Sequence, residues 1–468
     1  MTQGTDRLKA GTRTSLEEGI AEWRSYLRRR QAIHSGDADE LEDHLRSQAS
    51  ALVEAGLTED EALLIAVKRI GELDALSREF AREHSERLWK RLVLAPGGGG
   101  DGAGSGKAAL REALVAVALA VAAAVAIKVP ELFGVRMHKD RELPAFYLRN
   151  SSLFVLPFLA AFFAWKRSLA PLGRLWLAAP FVLAAMVINL MPFASGGSTE
   201  ALAALHLPIA LWLVVGCAYA GGRWRDHDPR MNYMRFSGEW FIYYALIAFG
   251  GGVLMALTTS IFGAIGLDAV QLLVTWVLPC GAVGAVVIAA WLVEAKQSVI
   301  ENMAPVLTLI FTPLFTVMLL AFLAAMAWTG SGIAVERGVL IGFDLLLALV
   351  AGLVLYAISA RDPQTPPGLF DALQLLLVVC ALAVDAIALW AIAVRISEFG
   401  FSPNKVAALG ENLILLVTLG GSAVLYARFL AGRVGFTALE RWQTAYLPVY
   451  ALWAWVVVVA FPPVFGFR

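Results

Sequence analysis

Three acidic residues lie inside long apolar stretches of this 468-residue chain: Asp344, Asp385 and Glu411. An unpaired carboxylate in hydrocarbon is costly, so each group must be protonated, paired or turned towards water. Carboxyl groups in such places can bind a cation or alternate between two protonation states, which a cation or proton path requires. The three acids are therefore the first candidates for chemistry.

Two further polar residues, His206 and Asn412, belong to the same candidate cluster. Asn412 follows Glu411 directly, and His206 lies in another apolar segment, with Asn189 in the segment before it. Counted at 1.5 Å per residue from the predicted outer ends of their segments, all three acids lie roughly 10 Å below the outer surface. Two interpretations stay open. Either the cluster carries a cation or a proton, or each carboxyl group is neutral or hydrogen-bonded and only fixes helix pairing.

The composition defines the class of protein that must position these groups. Hydrophobic residues make up 59% of the chain and charged residues 16%, and the mean hydropathy is +0.67, well above that of soluble proteins. Because a membrane span needs about 20 apolar residues, the pattern predicts an all-α, polytopic α-helical membrane protein with eleven spans. The predicted spans are residues 109–127, 149–166, 174–193, 201–221, 237–259, 269–293, 305–328, 338–359, 370–394, 404–427 and 443–462.

The charges predict an orientation. Residues 1–30 contain no apolar signal segment, and basic residues are more frequent in the loops that eleven crossings place inside. We therefore expect a multi-pass protein of the bacterial cytoplasmic (inner) membrane, with a cytosolic N-terminus and an external C-terminus. Several basic residues between the first two spans oppose this arrangement, so a re-entrant first segment stays as the alternative. The formal net charge of zero argues against a nucleic-acid partner.

The first 94 residues form a separate, highly charged module. Ser15–Glu18 and Thr58–Glu61 match the capping-box pattern, and a further helix is expected from about Asp37, with Leu45 on its inner face and its end at Gly56. A fourth helix is expected from about residue 73. Glycine-rich residues 95–107 predict a flexible linker. The domain boundaries are therefore a soluble helical domain at 1–94, the linker at 95–107 and the membrane domain at 108–468.

Four short motifs give this module a resemblance. They are LEEGIAEWR at 16–24, ELEDHLR at 40–46, GLTEDEA at 56–62 and AVKRIG at 66–71. Together they resemble the bacterial permease prefix domain 1, which precedes membrane domains such as transporter permeases. The resemblance implies a cytosolic regulatory or docking module with a cytosolic or membrane protein partner at residues 1–94. It implies nothing about transport by the membrane domain.

The loop before the tenth span carries a second motif, RISEFGFSPNKV at 395–406. Ser402 is expected to cap the following helix, with Pro403 in its first turn. The motif resembles the signature R-x-x-E-[YF]-G-x-[ST]-P-x-[RK]-V of a multi-pass bacterial family called domain of unknown function 4153. That resemblance implies no mechanism, but it selects the loop positions to mutate first: Arg395, Glu398, Ser402, Asn404 and Lys405.

The remaining motifs limit the function classes. Cys217, Cys280 and Cys380 lie in apolar stretches without ligand spacing, and no nucleotide-binding or hydrolase motif is present. We expect no cofactor and no metal site. The sequence favours a non-enzymatic membrane protein whose prefix serves signalling or regulation, with a secondary transporter or channel as the alternative and a lipid-active enzyme as the third choice. Glycines at 250–252 and 420–421 predict close helix packing.

Overall fold

The computed structural model of the chain describes residues 35–54, 57, 62, 66, 103–135, 137, 144–264, 267–295, 303–329 and 337–468. Helices joined by turns and short loops make up these ranges, and no strand is found in them, which confirms the all-α prediction. The chain divides into two compact units, Met1–Asp101 and Gly102–Arg468.

The described part of the first unit is mainly one helix, α1 (Ser35–Glu54). Its apolar positions recur at helical spacing, and Leu45 and Ala49 are fully buried. On the same helix Arg46 pairs with Glu42 one turn earlier, at 3.2 Å. The predicted helix from Ser15, the capping box at Thr58–Glu61 and the fourth helix lie outside the described residues.

The second unit opens with α2 (Ala103–Leu132). This helix begins inside the range 95–107 that the composition assigns to a linker, so residues 103–107 are helical instead. Each glycine in a helix costs roughly 1 kcal/mol relative to alanine. Extending a helix already nucleated by the alanine-rich run after Lys107 adds a hydrogen bond for each residue fixed, which offsets that cost.

Eleven of the described helices are long and apolar enough to cross a membrane, which confirms the predicted number of spans. One of them, α3 (Ala145–Lys166), contains a 3-10 turn at Ser151–Phe154. Another, α7 (Val270–Ala295), contains a π-helical turn at Leu273–Val277. The helices after α2 are α3 (Ala145–Lys166), α4 (Pro171–Leu190), α5 (Ser198–Tyr219), α6 (His227–Ala264), α7 (Val270–Ala295), α8 (Met303–Thr329), α9 (Arg337–Ala360), α10 (Leu369–Phe399), α11 (Pro403–Leu430), α12 (Thr437–Val459) and the short α13 (Phe461–Val464).

Ion pairs at the helix ends show that the first segment runs the full length of the bundle. Near the start of α2, Glu112 contacts Lys166 at the end of α3, and Lys166 lies 3.0 Å from Glu294 at the end of α7. At the other end of α2, the Lys128 Nζ atom donates to the main-chain oxygen of Thr275 near the start of α7, at 2.5 Å. α2 and α7 are therefore antiparallel over their whole lengths. A re-entrant first segment, which would return to its own end, is not observed.

Two large hydrophobic cores and a small third cluster around Ala407, Val457 and Phe461 hold the described part of the bundle together. The first joins α2–α7 and α12 and is rich in aromatic rings; Phe163 and Phe236, for example, pack edge to face with centroids 5.1 Å apart. The second joins α8–α11 and is mainly aliphatic. Because α5 contributes to the first core and α9–α11 to the second, side chains that link α5 to α11 lie where the two cores adjoin.

The prediction that glycines at 250–252 and 420–421 allow close helix packing is correct only in part. A Cβ atom at Gly421 would collide with the Trp442 ring, so this glycine permits the close packing of α11 against α12. Gly250–Gly252 have open space around them instead, and Phe249 beside them is 74% exposed. At 1.5 Å per residue the 38-residue α6 is about 57 Å long, which exceeds the ~30 Å hydrocarbon core.

Candidate functional site

Four helices supply the side chains of the candidate site. His206 lies on α5, Asp344 on α9, Asp385 on α10, and Glu411 and Asn412 are consecutive residues of α11. Consecutive helical residues point about 100° apart. Glu411 therefore faces one neighbouring helix, and Asn412 faces another. The structure brings the five sequence-selected residues together around this point of α11.

The contact between α5 and α11 is made by His206 and Glu411. The His206 Nε2 atom lies 2.5 Å from the Glu411 Oε1 atom, and the His206 Nδ1 atom lies 2.9 Å from the main-chain oxygen of Leu202. Because a carbonyl oxygen only accepts, Nδ1 carries a proton. The other contact then holds one further proton, on the imidazole or on the carboxyl group. His206 is buried, whereas one third of the Glu411 side chain is exposed.

Asn412 links α11 to α9. Its Nδ2 atom donates to the Asp344 Oδ1 atom at 2.7 Å and to the main-chain oxygen of Ala408 at 2.8 Å. Both amide hydrogens are therefore used, and the Asn412 Oδ1 atom is buried without a hydrogen-bond partner in the described part of the chain. That oxygen can accept from a proton donor or contact a cation.

Asp385 is the most unusual member of the cluster. It is fully buried, and neither of its carboxyl oxygens has a hydrogen-bond partner among the described residues. The side chains of Val384 and Ala388 beside it on α10 are also fully buried. Asp344 is its electrostatic neighbour, and Asp344 also interacts repulsively with Glu411. An ionised Asp385 would thus meet apolar surroundings and a second carboxylate, which makes proton binding the chemistry that suits it.

The end of α10 lies beyond the end predicted from hydropathy, whereas α9 and α11 begin within one residue of their predicted starts. Asp344 follows the start of α9 at Arg337 by 7 residues and Glu411 follows the start of α11 at Pro403 by 8, or about 10–12 Å at 1.5 Å per residue. Asp385 precedes the end of α10 at Phe399 by 14 residues, about 21 Å. α10 continues past its apolar run through charged residues, so the helix end is farther away than hydropathy suggests.

The structure places two polar side chains, those of Asn189 and Trp453, differently from what the sequence predicted. Asn189 is not in the cluster: it exchanges amide hydrogen bonds with Asn150 on α3, at 2.9 and 2.8 Å. Trp453 on α12 was not selected, yet its ring packs on Gly410 and its Nε1 atom is buried without a partner in the described ranges. A lone tryptophan in an apolar segment gives no signal for this placement, because its neighbour is a glycine 43 residues away on another helix.

The predicted motif loop connects the ends of α10 and α11. The Lys405 Nζ atom donates to the main-chain oxygens of Arg395 at 3.1 Å and Gly400 at 2.8 Å, so it binds the last carbonyl groups of α10. Gly400 has a φ of 71°, which suits the left-handed end of a helix. Ser402 is at the N-cap of α11 with Pro403 following, but its side chain makes no capping hydrogen bond. The predicted position of Ser402 at the start of α11 is therefore correct, but the prediction that its side chain caps the helix is wrong.

The rest of the motif loop faces the start of α5 and the solvent. The Asn404 Nδ2 atom donates to the Ser198 Oγ atom at 3.2 Å, and Glu398 is exposed. The end of the chain meets the same point, because the main-chain N–H of Thr199 donates to the carbonyl oxygen of Arg468 at 2.8 Å. Arg395, Glu398, Ser402, Asn404 and Lys405 thus form a junction between helix ends and are not part of the acid cluster.

Within the described ranges, no three His, Cys, Asp or Glu residues are grouped closely enough to hold a metal ion. The fold and the cluster define the chain as a polytopic α-helical membrane protein with a buried group of ionisable side chains. A scan against protein-family models and searches of the curated proteins and of the solved structures found no match to this chain. The two family resemblances of the sequence therefore stay predictions.

Proposed function

We propose that this integral membrane protein is a proton-coupled secondary transporter in which Asp385 is the proton-binding group. The observation that carries the proposal is the fully buried Asp385 carboxyl group, which has no hydrogen-bond partner in the described structure. A group that only fixed helix pairing would bond to a neighbouring helix. Intramembrane carboxyl groups of this kind are typical of proton relays in pumps and transporters.

The cluster contains two proton-binding elements, which are linked by α11. One is Asp385 beside Asp344, and the other is the contact between His206 and Glu411. Asn412 connects them, because it bonds to Asp344 and follows Glu411 in the chain. Loss of a proton from Asp385 creates a charge that Asp344 repels. The packing of α9, α10 and α11 then depends on the protonation state, which is the coupling that a proton-driven conformational change requires.

The partly exposed Glu411 offers the route into this cluster. One third of its side chain is exposed, whereas His206 and Asp385 are buried. A proton can reach Glu411 first and pass to the imidazole over the 2.5 Å contact. Asp385 is the terminal acceptor in this scheme, and because no hydrogen bond of the described structure joins it to His206, the last transfer follows a change in the packing of α9, α10 and α11.

The test is proton flux into liposomes that contain the purified full chain. An imposed membrane potential drives protons inwards, and a trapped pH-sensitive dye reports them. The wild type and the control variant Asp362→Asn, whose carboxylate is exposed in the α9–α10 loop, are expected to conduct protons alike. Asp385→Asn is expected to lower the flux by about tenfold or more, since it removes the titratable group and keeps the shape. Equal flux in both variants, or none above empty liposomes in the wild type, contradicts the proposal.

A regulatory role for residues 1–94 is the second candidate. It is favoured by the division of the chain into the compact units Met1–Asp101 and Gly102–Arg468, since a separable unit can bind a partner of its own. The expected result of crosslinking in native membranes is one reproducible protein partner attached to this unit. Recovery of none would remove the docking role and leave the proton proposal unaffected.

For the orientation, we infer that the N-terminus is cytosolic and the C-terminus external. The end of the bundle that contains Lys166 and Arg167 also contains Arg223, Arg225 and Arg230, as the positive-inside rule expects of a cytosolic face. Protease added to sealed, right-side-out cells should leave residues 1–94 intact. Cleavage there would reverse the orientation.

A further inference from the structure

A polar cavity opens at the basic end of the bundle. Tyr219 in its lining follows His206 of the acid cluster by 13 residues on α5, about 20 Å at 1.5 Å per residue. It has a volume of about 520 Å³ and lies between the end of α3, the α5–α6 turn, the start of α6 and the end of α7. Three arginines from three of these elements line it: Arg167, Arg223 and Arg235. Cationic side chains that converge on one cavity need an anion or a carboxylate nearby.

Two of the arginines are held in place by the protein. The Arg167 Nε atom donates to the main-chain oxygen of Tyr219 at 3.2 Å, its guanidinium stacks 5.0 Å from the Tyr219 ring centroid, and its Nη2 atom pairs with Glu294. The Arg235 Nε atom donates to the main-chain oxygen of Ser359 at 2.8 Å. Guanidinium groups fixed in this way are preorganised, so a ligand does not have to order them.

The charges in the lining do not cancel. Arg167 is paired with Glu294, and Glu239, on α6 one turn after Arg235, is the one carboxylate among the lining residues. Arg223 and Arg235 together therefore leave an excess of one positive charge. Arg223 is exposed at the rim, and Asn232 adds an amide that can donate to an anion. The cavity thus has two fixed cationic groups in its wall, one mobile cationic group at its mouth and a neutral donor between them.

The position of the cavity indicates the source of the anion. It lies where α5 ends at Tyr219 and before α6 begins at His227. The 22 residues of α5 span about 33 Å at 1.5 Å per residue, so an end of this helix reaches the headgroup region of a bilayer with a ~30 Å hydrocarbon core. Basic pockets between membrane helices at this depth bind anionic headgroups. The planar guanidinium group of arginine can donate two parallel hydrogen bonds to the oxygens of a phosphate group, which the ammonium group of lysine cannot match.

We propose that this cavity is a binding site for a phosphate group, carried by an anionic phospholipid or by a soluble phosphate. Arg167 and Arg235 bind its oxygens, and Arg223 closes over it from the rim. The site is independent of the proton-binding cluster, so its occupancy does not require Asp385.

The experiment is native mass spectrometry of the purified full chain with phosphatidylglycerol or phosphatidylcholine, with inorganic phosphate binding measured by calorimetry in parallel. The variants are Arg223→Glu and Asn232→Asp, both at exposed lining positions whose side chains hold no two helices together in the described structure. The control is Arg225→Glu, which is exposed, two residues away and not part of the lining.

The wild type and Arg225→Glu are expected to retain phosphatidylglycerol over phosphatidylcholine, and each lining variant to lose about fivefold or more of that retention. Binding of inorganic phosphate with the same variant pattern, without lipid retention, supports the phosphate site with a soluble source. The proposal is overturned if Arg225→Glu loses as much as Arg223→Glu, or if neither phosphatidylglycerol nor inorganic phosphate binds the wild type.

Discussion

His206 and Glu411 are 205 positions apart in the chain, yet the His206 Nε2 atom lies 2.5 Å from the Glu411 Oε1 atom. The opposite ring nitrogen of His206 is fixed by the main-chain oxygen of Leu202. The ring can therefore exchange a proton with Glu411 without turning. This contact joins α5 to α11 and gives the acid cluster its link to the surface of the bundle.

Replacement of Glu411 by glutamine separates the structural role of this contact from its chemistry. The Gln side chain can donate to the His206 Nε2 atom, so thermal unfolding of Glu411→Gln should stay close to that of the wild type. Proton flux should fall about tenfold or more, since an amide cannot exchange the proton. Glu411→Ala leaves His206 without its partner and should lose roughly 1–3 kcal/mol of stability. Wild-type flux in Glu411→Gln would remove Glu411 from the proton route.

Asn412→Leu tests the link to Asp344. The Asp344 Oδ1 atom loses its amide donor, which should destabilise the protein by roughly 1–3 kcal/mol and also reduce proton flux. Asn189→Leu is the matched control, because Asn189 pairs with Asn150 outside the cluster. Both variants should unfold at lower temperature, but flux per folded protein should fall only in Asn412→Leu. If the two variants reduce flux equally, Asn412 acts through stability alone.

Hydropathy predicted much of the architecture because a membrane span is a local property of about 20 residues. The same local argument selected Asp344, Asp385 and Glu411, since ionisable groups are rare in hydrocarbon. It could not give the pairing of His206 with Glu411 or of Asn189 with Asn150. Those pairs depend on how helices pack, and apolar helices such as α5 carry no strong amphipathic signal of their inward face.

Caps and helix ends were predicted less well, for a physical reason. The Ser402 N-cap follows a reliable pattern, yet the hydroxyl makes no capping bond, and Lys405 satisfies the end of the preceding helix instead. The charged first turns of α6 lie outside any apolar run, so the hydropathy-based start at 237 is ten residues later than the observed His227. Tertiary contacts such as Arg235 with Ser359 stabilise those turns.

Lys405→Ala should loosen the junction between α10 and α11. The carbonyl oxygens of Arg395 and Gly400 lose a cationic donor, at a cost of about 1 kcal/mol. Hydrogen exchange of the amides at 395–402 should become faster, with little change elsewhere in the bundle. Arg433→Ala, at an exposed position after α11, is the control and should leave this region unchanged. Unchanged exchange at 395–402 in Lys405→Ala would show that the lysine does not hold the loop.

Glu294→Gln should be the most destabilising of the conservative variants. Its side chain is 2% exposed and contacts both Lys166 and Arg167. Neutralising it leaves Arg167 without a carboxylate partner and Lys166 with Glu112 alone, at a cost of roughly 3 kcal/mol. Glu112→Gln removes a contact to Lys166 alone from a side chain that is 24% exposed, and should cost less. Equal unfolding temperatures for the two variants would mean that burial of Glu294 does not matter.

The proposed proton-coupled transport requires reversible proton binding by Asp385. Infrared difference spectroscopy of the reconstituted chain between acidic and basic pH measures this binding directly. A carbonyl stretch of a protonated, non-hydrogen-bonded carboxyl group should appear at acidic pH in the wild type and in Asp362→Asn, and should be absent from Asp385→Asn. If that band is unchanged in Asp385→Asn, or if the wild type has no such band, Asp385 is not the group that binds the proton.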